Sequence, residues 1–211
     1  MDVLFEDDAI VVVDKPAGRI VHPAPGHEEG SLTEELVRSR PAMACVGSRE
    51  RPGVVHRLDI ETSGVVVFAK TRAAYLSLRR QFESHRGVEK RYLAVVHGAP
   101  KTRAGTLEGP VGRERLHAVT HWEVLGRNGP VSLVEFTIET GRMHQIRIHA
   151  AELGCPVVGD RLYGDAARDR RLANRPGRLL LHAVELSFIH PSTGRRVTFA
   201  APPPPEMVYA R

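Results

Sequence analysis

Two cysteines in 211 residues, Cys45 and Cys155, exclude a disulfide framework and a cysteine-rich zinc site. Aromatic residues make up 5% of the chain. Lysine is scarce too: of 30 basic residues, only Lys15, Lys70, Lys90 and Lys101 are lysine, and 26 are arginine. No apolar run approaches the ~18 residues of a membrane-spanning helix. The opening residues, MDVLFEDD, are acidic and lack the basic start of a signal peptide. No G-x-G-x-x-G, P-loop or H-E-x-x-H pattern occurs. These absences point to a soluble cytoplasmic protein that makes no contact with a membrane and has no metal site.

What is present suits one domain or two tightly joined halves, with 42% hydrophobic residues to fill a core. The formal charge of +5 and the pI of 9.6 favour a polyanion such as RNA as partner. Arginine suits phosphate forks and base stacking, although a genome rich in arginine codons explains most of these positions as well. The densest basic stretches, residues 79–91 and 168–178, also read as solvated faces.

Strands are expected over residues 9–14, 65–69, 91–97, 118–125, 131–139, 179–188 and 196–200, the loop 126–130 making the middle pair a hairpin. Ser31 opens a short helix with Glu34 in the capping-box position. Thr71 caps a second helix, in which Tyr75, Leu78 and Phe82 share a face. A third covers residues 144–153 and ends at Gly154. The loop 22–30 and the segment 38–53 are irregular, and residues 202–211 are extended. Many strands and few helices indicate an α+β fold with a mainly antiparallel sheet.

The most informative stretch is RPGVVHRLDIETSGVVVFAK, residues 51–70. Asp59 is its central acid, on a turn-rich loop before a buried strand, with Arg57 two residues earlier. A carboxylate in such a setting serves as nucleophile or general base, or forms an ordinary ion pair with Arg57.

The words GVVHRLDIETSG resemble the catalytic loop of the RluA family of pseudouridine synthases. TGRMHQIRIHAAELGCPVVGDRLYG, residues 140–164, is similar to the family's second long motif, and three shorter matches follow the family order: FEDDAIVVVDKPAG, KRYLAVVHG and LLLHAVELSFIHPSTG. The likeness covers roughly residues 3–205. It implies a pseudouridine synthase fold, a mixed sheet in two subdomains with a central active-site cleft, spanning residues 1–205 with a tail at 206–211. It also implies an isomerase that needs no cofactor, because the reaction involves neither redox change nor group transfer.

The resemblance assigns Asp59 as the catalytic carboxylate. It sets Arg147 against that carboxylate, since a carboxylate out of water stays charged only beside a cation. Tyr92 packs on the target base and is a candidate final proton acceptor. Arg57 enters the space left by a flipped uridine, or pairs with Asp59. His56, Arg142, His144 and Gln145 fall on the substrate side, although His56 and His144 also read as makers of structural hydrogen bonds. His144 and His149, five residues apart, lie on different helix faces and form no metal pair. Gly141, Gly154, Gly159 and Gly164 read as turn and cap residues. Met143 replaces a threonine common in relatives, read as a change of packing.

The chain starts almost at the first family motif, which resembles the short members that grip a compact ribosomal or transfer RNA stem-loop with the catalytic domain alone. The expected protein is thus a monomer with RNA as partner and no obligatory protein partner. Two rivals are an RNA-binding protein that has lost catalysis and a hydrolase using Asp59 with a histidine base. The first has no need of a buried acid. The second lacks a serine, cysteine or metal motif.

Overall fold

The computed structural model describes residues 1–211 other than Glu28, Arg113, Asn174 and Arg211, and describes Val208, Tyr209 and Ala210 by their backbone alone. The expected loop 22–30, basic stretch 168–178 and tail each contain one residue outside that set. In chain order the strands are β1 (Asp2–Glu6), β2 (Ile10–Lys15), β3 (Gly47–Ser48), β4 (Arg51–Pro52), β5 (Ser63–Ala69), β6 (Glu89–His97), β7 (Ala104–Val111), β8 (Leu116–Asn128), β9 (Val131–Ile138), β10 (Leu181–Ile189) and β11 (Arg196–Ala200). The helices are α1 (Leu32–Ser39), α2 (Arg72–Ser84), α3 (Gln145–Glu152) and α4 (Ala166–Arg171). The fold is α+β with antiparallel strand pairing, as expected.

The chain forms two compact units, Met1–Glu89 with Glu185–Ala201, and Lys90–Val184 with Pro202–Arg211. In the first, the strand order is β1-β2-β5-β10, with β11 on β10. Hydrophobic residues on both faces of β2 and β5 bury almost every side chain. Val12, Val65, Val67 and Phe188 form a core with Leu78 and Phe82 of α2. Thr71 caps α2 by accepting from the Ala74 amide, and Ser31 and Glu34 close the capping box of α1 reciprocally.

In the second unit the order is β6-β9-β8-β7. The β8–β9 turn is tighter than expected. β8 runs on to Asn128, because a bulge between Val124 and Gly126 lets the ladder continue past the glycine. The segment 202–211 was expected to be extended. Instead Pro205–Ala210 is a 3-10 helix, wound because Met207 buries its side chain beside Leu93, Val95 and Leu180.

Candidate active site

The residues singled out by sequence fall into two sets, one in each unit. In the first unit, His56, Arg57 and Asp59 lie on the loop that leads into β5. Its position is set from below by Lys15, the last residue of β2. Lys15 is fully buried. Its ammonium donates to the carbonyls of Pro16 (3.1 Å), Arg19 (2.6 Å) and Ile60 (2.8 Å), using all three of its protons. Ile60 also accepts from the Gly18 amide at 2.8 Å. The residue after Asp59 is therefore tied twice to the β2 turn, and the Thr62 amide closes a turn onto the Asp59 carbonyl at 3.2 Å. Asp59 is half-buried and Arg57 is exposed.

His56 is committed to the scaffold. Its ring stacks on Phe82 of α2 with centroids 4.5 Å apart, and Nε2 accepts the Val67 amide at 3.1 Å. With Nε2 accepting, the ring proton of the neutral form sits on Nδ1.

In the second unit, Arg147 is buried in α3. Its Nε and Nη2 donate to the two carboxylate oxygens of Asp160, each at 2.7 Å. This is the fork geometry that only arginine offers. Asp160 also accepts the amides of Leu162 and Tyr163 at 2.9 and 3.0 Å. The Arg147 guanidinium lies 5.3 Å from the Tyr163 ring centroid, and the Tyr163 hydroxyl is 3.1 Å from His144 Nδ1. Burial pushes the Asp160 carboxyl up, but the Arg147 hydrogen bonds, the two amides and the Arg147 charge together hold it below its ordinary value. His144 caps α3 in a left-handed conformation (φ 56°), rare for a residue with a side chain.

The glycines of GDRLYG are required by close approach. A Cβ on Gly159 would stand 2.0 Å from the Arg178 carbonyl, and one on Gly164 2.1 Å from that of Asp160. Gly159 has φ +78° in addition.

Gln145 does not face solvent. Its Oε1 accepts from the Thr140 hydroxyl (2.7 Å) and the Arg142 amide (3.0 Å), and its Nε2 donates to the Val119 carbonyl and the Thr120 hydroxyl, both at 2.9 Å. All four of its hydrogen-bonding positions are used inside the unit. His149 is buried with Nδ1 2.8 Å from the Thr120 hydroxyl, and burial pushes its pKa down. Arg142 Nε donates to the His117 carbonyl at 3.0 Å. Met143, expected to alter packing, is on the surface.

Tyr92 lies in β6 and is 8% exposed. Lys90 precedes it by two residues, so the two share a strand face. Lys90 is 7% exposed and donates to the Thr140 carbonyl at 3.2 Å. Burial and then the charge of Arg142 lower its pKa to about 8. Lys15, Lys90, Asp160 and Tyr163 all fall within stretches similar to the family, yet residue type alone gave them no role.

Lys90 makes stability depend on pH. Its folded pKa lies below the unfolded value, so between pH ~8 and ~10.5 the unfolded chain binds the extra proton and stability rises with pH. The rise should total up to about 3 kcal/mol. Urea titrations across that range should show this contribution as the difference between the wild type and Lys90→Met, the variant lacking the rise. Equal slopes in both would contradict the burial of a charge at this position.

Residues 9–152 match the family model described as RNA pseudouridylate synthase. The chain is 41% identical to an uncharacterised RNA pseudouridine synthase of Synechocystis, over 97% of this chain and 66% of that one. It is 42% identical to the ribosomal large subunit pseudouridine synthase D of Xanthomonas campestris, over 98% of this chain and 67% of that one. It thus spans about two thirds of the length of these relatives. The fold is similar to that of human RNA pseudouridylate synthase domain containing 4, with a TM-score of 0.80 and 26% identity over 99% of this chain and 90% of that one.

Proposed function

The chain belongs to the RNA pseudouridylate synthase family, isomerases that act on RNA, and from that premise we propose that it converts specific uridines of structured RNA to pseudouridine, with Asp59 as the essential carboxylate. The family match over residues 9–152 carries this reading, because that span contains Asp59, Tyr92, Arg142 and Arg147. Large-subunit ribosomal RNA is the proposed substrate, supported by the names of relatives such as that of Xanthomonas campestris. Activity confined to transfer RNA would replace that substrate and keep the reaction.

The isomerisation breaks the bond from the ribose C1′ to N1 of uracil, turns the base, and joins C1′ to C5. The C5 proton leaves and N1 gains one. The carboxylate of Asp59 stabilises or traps the separated sugar and base, while Tyr92 stacks on the base and takes part in the final proton removal. Arg147 supports the carboxylate in this scheme. The protein acts in the cytoplasm as a monomer, without cofactor or obligatory protein partner.

The test is release of tritium from large-subunit ribosomal RNA transcribed with uridine labelled at C5. The wild-type protein should release it in a fixed ratio to the sites modified. No release from any ribosomal or transfer RNA would refute the activity.

Arg57, exposed beside Asp59, is proposed to occupy the gap left by the flipped base. Arg57→Ala should then slow turnover on a folded stem-loop about tenfold more than on a flexible single strand, where there is little stacking to replace. Equal losses on both substrates would instead assign Arg57 to an ion pair with Asp59.

A further inference from the structure

The net positive charge of this chain belongs to one unit. The first unit carries fourteen basic and fifteen acidic residues, and the second sixteen basic and ten acidic. Much of the excess is concentrated in residues 161–178, which hold six arginines, two aspartates and no other charge. The other dense basic stretch, residues 79–91, holds three arginines and one lysine besides Arg79 but carries two glutamates of its own, and two of its arginines are paired. There Arg79 pairs with Glu83, Arg91 with Glu135, and Glu89 draws in Arg196.

Around 161–178 the acids are spent on building the segment. Asp160, just before it, is the buried partner of Arg147. Asp165 caps α4 by accepting the Ala167 and Arg168 amides, each at 3.0 Å, and its Oδ2 lies 3.2 Å from Arg168 Nε, while Arg178 pairs with Glu206 at 2.7 Å, so two of the six arginines are compensated. Asp169 turns inward, with Oδ1 2.7 Å from Nε2 of the buried His97 and 3.2 Å from the Gly159 amide that donates to it. α4 is six residues long and buries no side chain fully, so these links take the place of an apolar face in holding it. Arg161, Arg170 and Arg171, on and just before this anchored helix, and Arg175 after it are all exposed, and together they form a basic platform.

We propose that this platform grips the phosphate backbone of the substrate RNA. The inference rests on the proposed activity and names the surface that holds its substrate. Four exposed guanidiniums with no carboxylate paired to them among the described residues fit a run of phosphates. An acidic protein would meet the same charge, and the test separates the two. Each phosphate neutralised releases counterions, so binding weakens with salt in proportion to the contacts made.

The experiment compares two triple variants with equal loss of charge. One is Arg170→Gln, Arg171→Gln, Arg175→Gln. The control, in the first unit, is Arg72→Gln, Arg80→Gln, Arg86→Gln, three residues that are likewise exposed. Binding of a short fluorescein-labelled RNA hairpin is followed by anisotropy from about 50 to 200 mM KCl. The platform variant should show a log–log slope flatter by about 2 to 3 and affinity at least ~10-fold weaker, and the control a slope change below about 1. Thermal midpoints matching the wild type establish that both are folded. Each platform arginine changed singly should flatten the slope by about 0.7 to 0.9, which keeps the test intact if the triple does not fold.

Hairpin binding by the platform variant equal to the wild type, as for a surface meant for an acidic protein, would overturn the proposal. So would equal losses in both triples, which would show a response to net charge alone. A wild-type protein that binds the hairpin through the platform but isomerises no RNA would refute the activity and leave the surface standing.

Discussion

Asp59→Asn should abolish isomerisation while leaving RNA binding largely intact. The substitution keeps the size of the side chain and the loop that carries it. Lys15 and the Gly18 amide hold that loop through the Ile60 carbonyl, not through the Asp59 side chain alone. The amide cannot act as carboxylate nucleophile or base. Loss of a transition-state contribution of about 5 kcal/mol corresponds to roughly four decades in rate. Single-turnover tritium release measures the rate, and anisotropy measures the binding. A variant retaining more than about one hundredth of the wild-type rate, some 2.7 kcal/mol or less of lost stabilisation, would remove Asp59 from the chemistry.

Arg147→Lys should impair the protein twice over, although charge is conserved. A lysine ammonium cannot make the two parallel hydrogen bonds that Asp160 receives from Nε and Nη2, nor keep a guanidinium over the Tyr163 ring. The Asp160 side chain has 0% exposure, so a poorly matched partner leaves a carboxylate buried at a cost. Turnover should fall roughly tenfold to a thousandfold, or about 1.4 to 4 kcal/mol. The urea midpoint should fall as well. The acid limb of stability gives a third readout. Asp160 is held below its ordinary value, so its contribution is complete above the unfolded value near pH ~4 and is lost as pH falls through the lower folded value. In Arg147→Lys that loss should begin at higher pH. A lysine variant within twofold of the wild-type rate from about pH 6 to 8, where His titration is felt, and with an unchanged midpoint, would show that the fork has no functional weight.

Much of the fold could be read from the residues because burial leaves a pattern. The apolar run of β5, the Thr71 cap and the Ser31–Glu34 box each have a local cause, and each stands where expected. The segment 38–53, expected to be irregular, holds the short strands β3 and β4 and a 3-10 turn at Pro41–Cys45, too short for any period to show, and three longer elements also escape where that cause is lacking. β1 is mostly exposed and pairs with β2 on one side, so its composition carries little signal. β7 contains Gly105, Gly109 and Pro110 and is held by its backbone ladder to β8. α4 is arginine-rich and buries no residue fully, so there is no apolar period to detect.

The site was legible to a different degree. Likeness to a family named Asp59, Tyr92 and Arg147, but it could not show what holds them. Lys15 reaches the Asp59 loop across 45 residues of sequence, and Asp160 reaches Arg147 across 13. Pairings at that range depend on how strands and turns fold back, which no local pattern contains. Gln145 shows the opposite error. A residue within a functional motif was read as substrate-facing, whereas its amide is the junction that joins β8 to the Thr140–Arg142 turn.

The most direct measurement is a map of pseudouridines in total RNA, by carbodiimide treatment and reverse-transcription stops, from cells with the gene, without it, and without it but supplied with Asp59→Asn. One or more stops in large-subunit ribosomal RNA should vanish with the gene, return with the wild-type protein and stay absent with the variant. An unchanged map without the gene, or a map restored by Asp59→Asn, would contradict the Asp59-dependent isomerisation proposed for this chain.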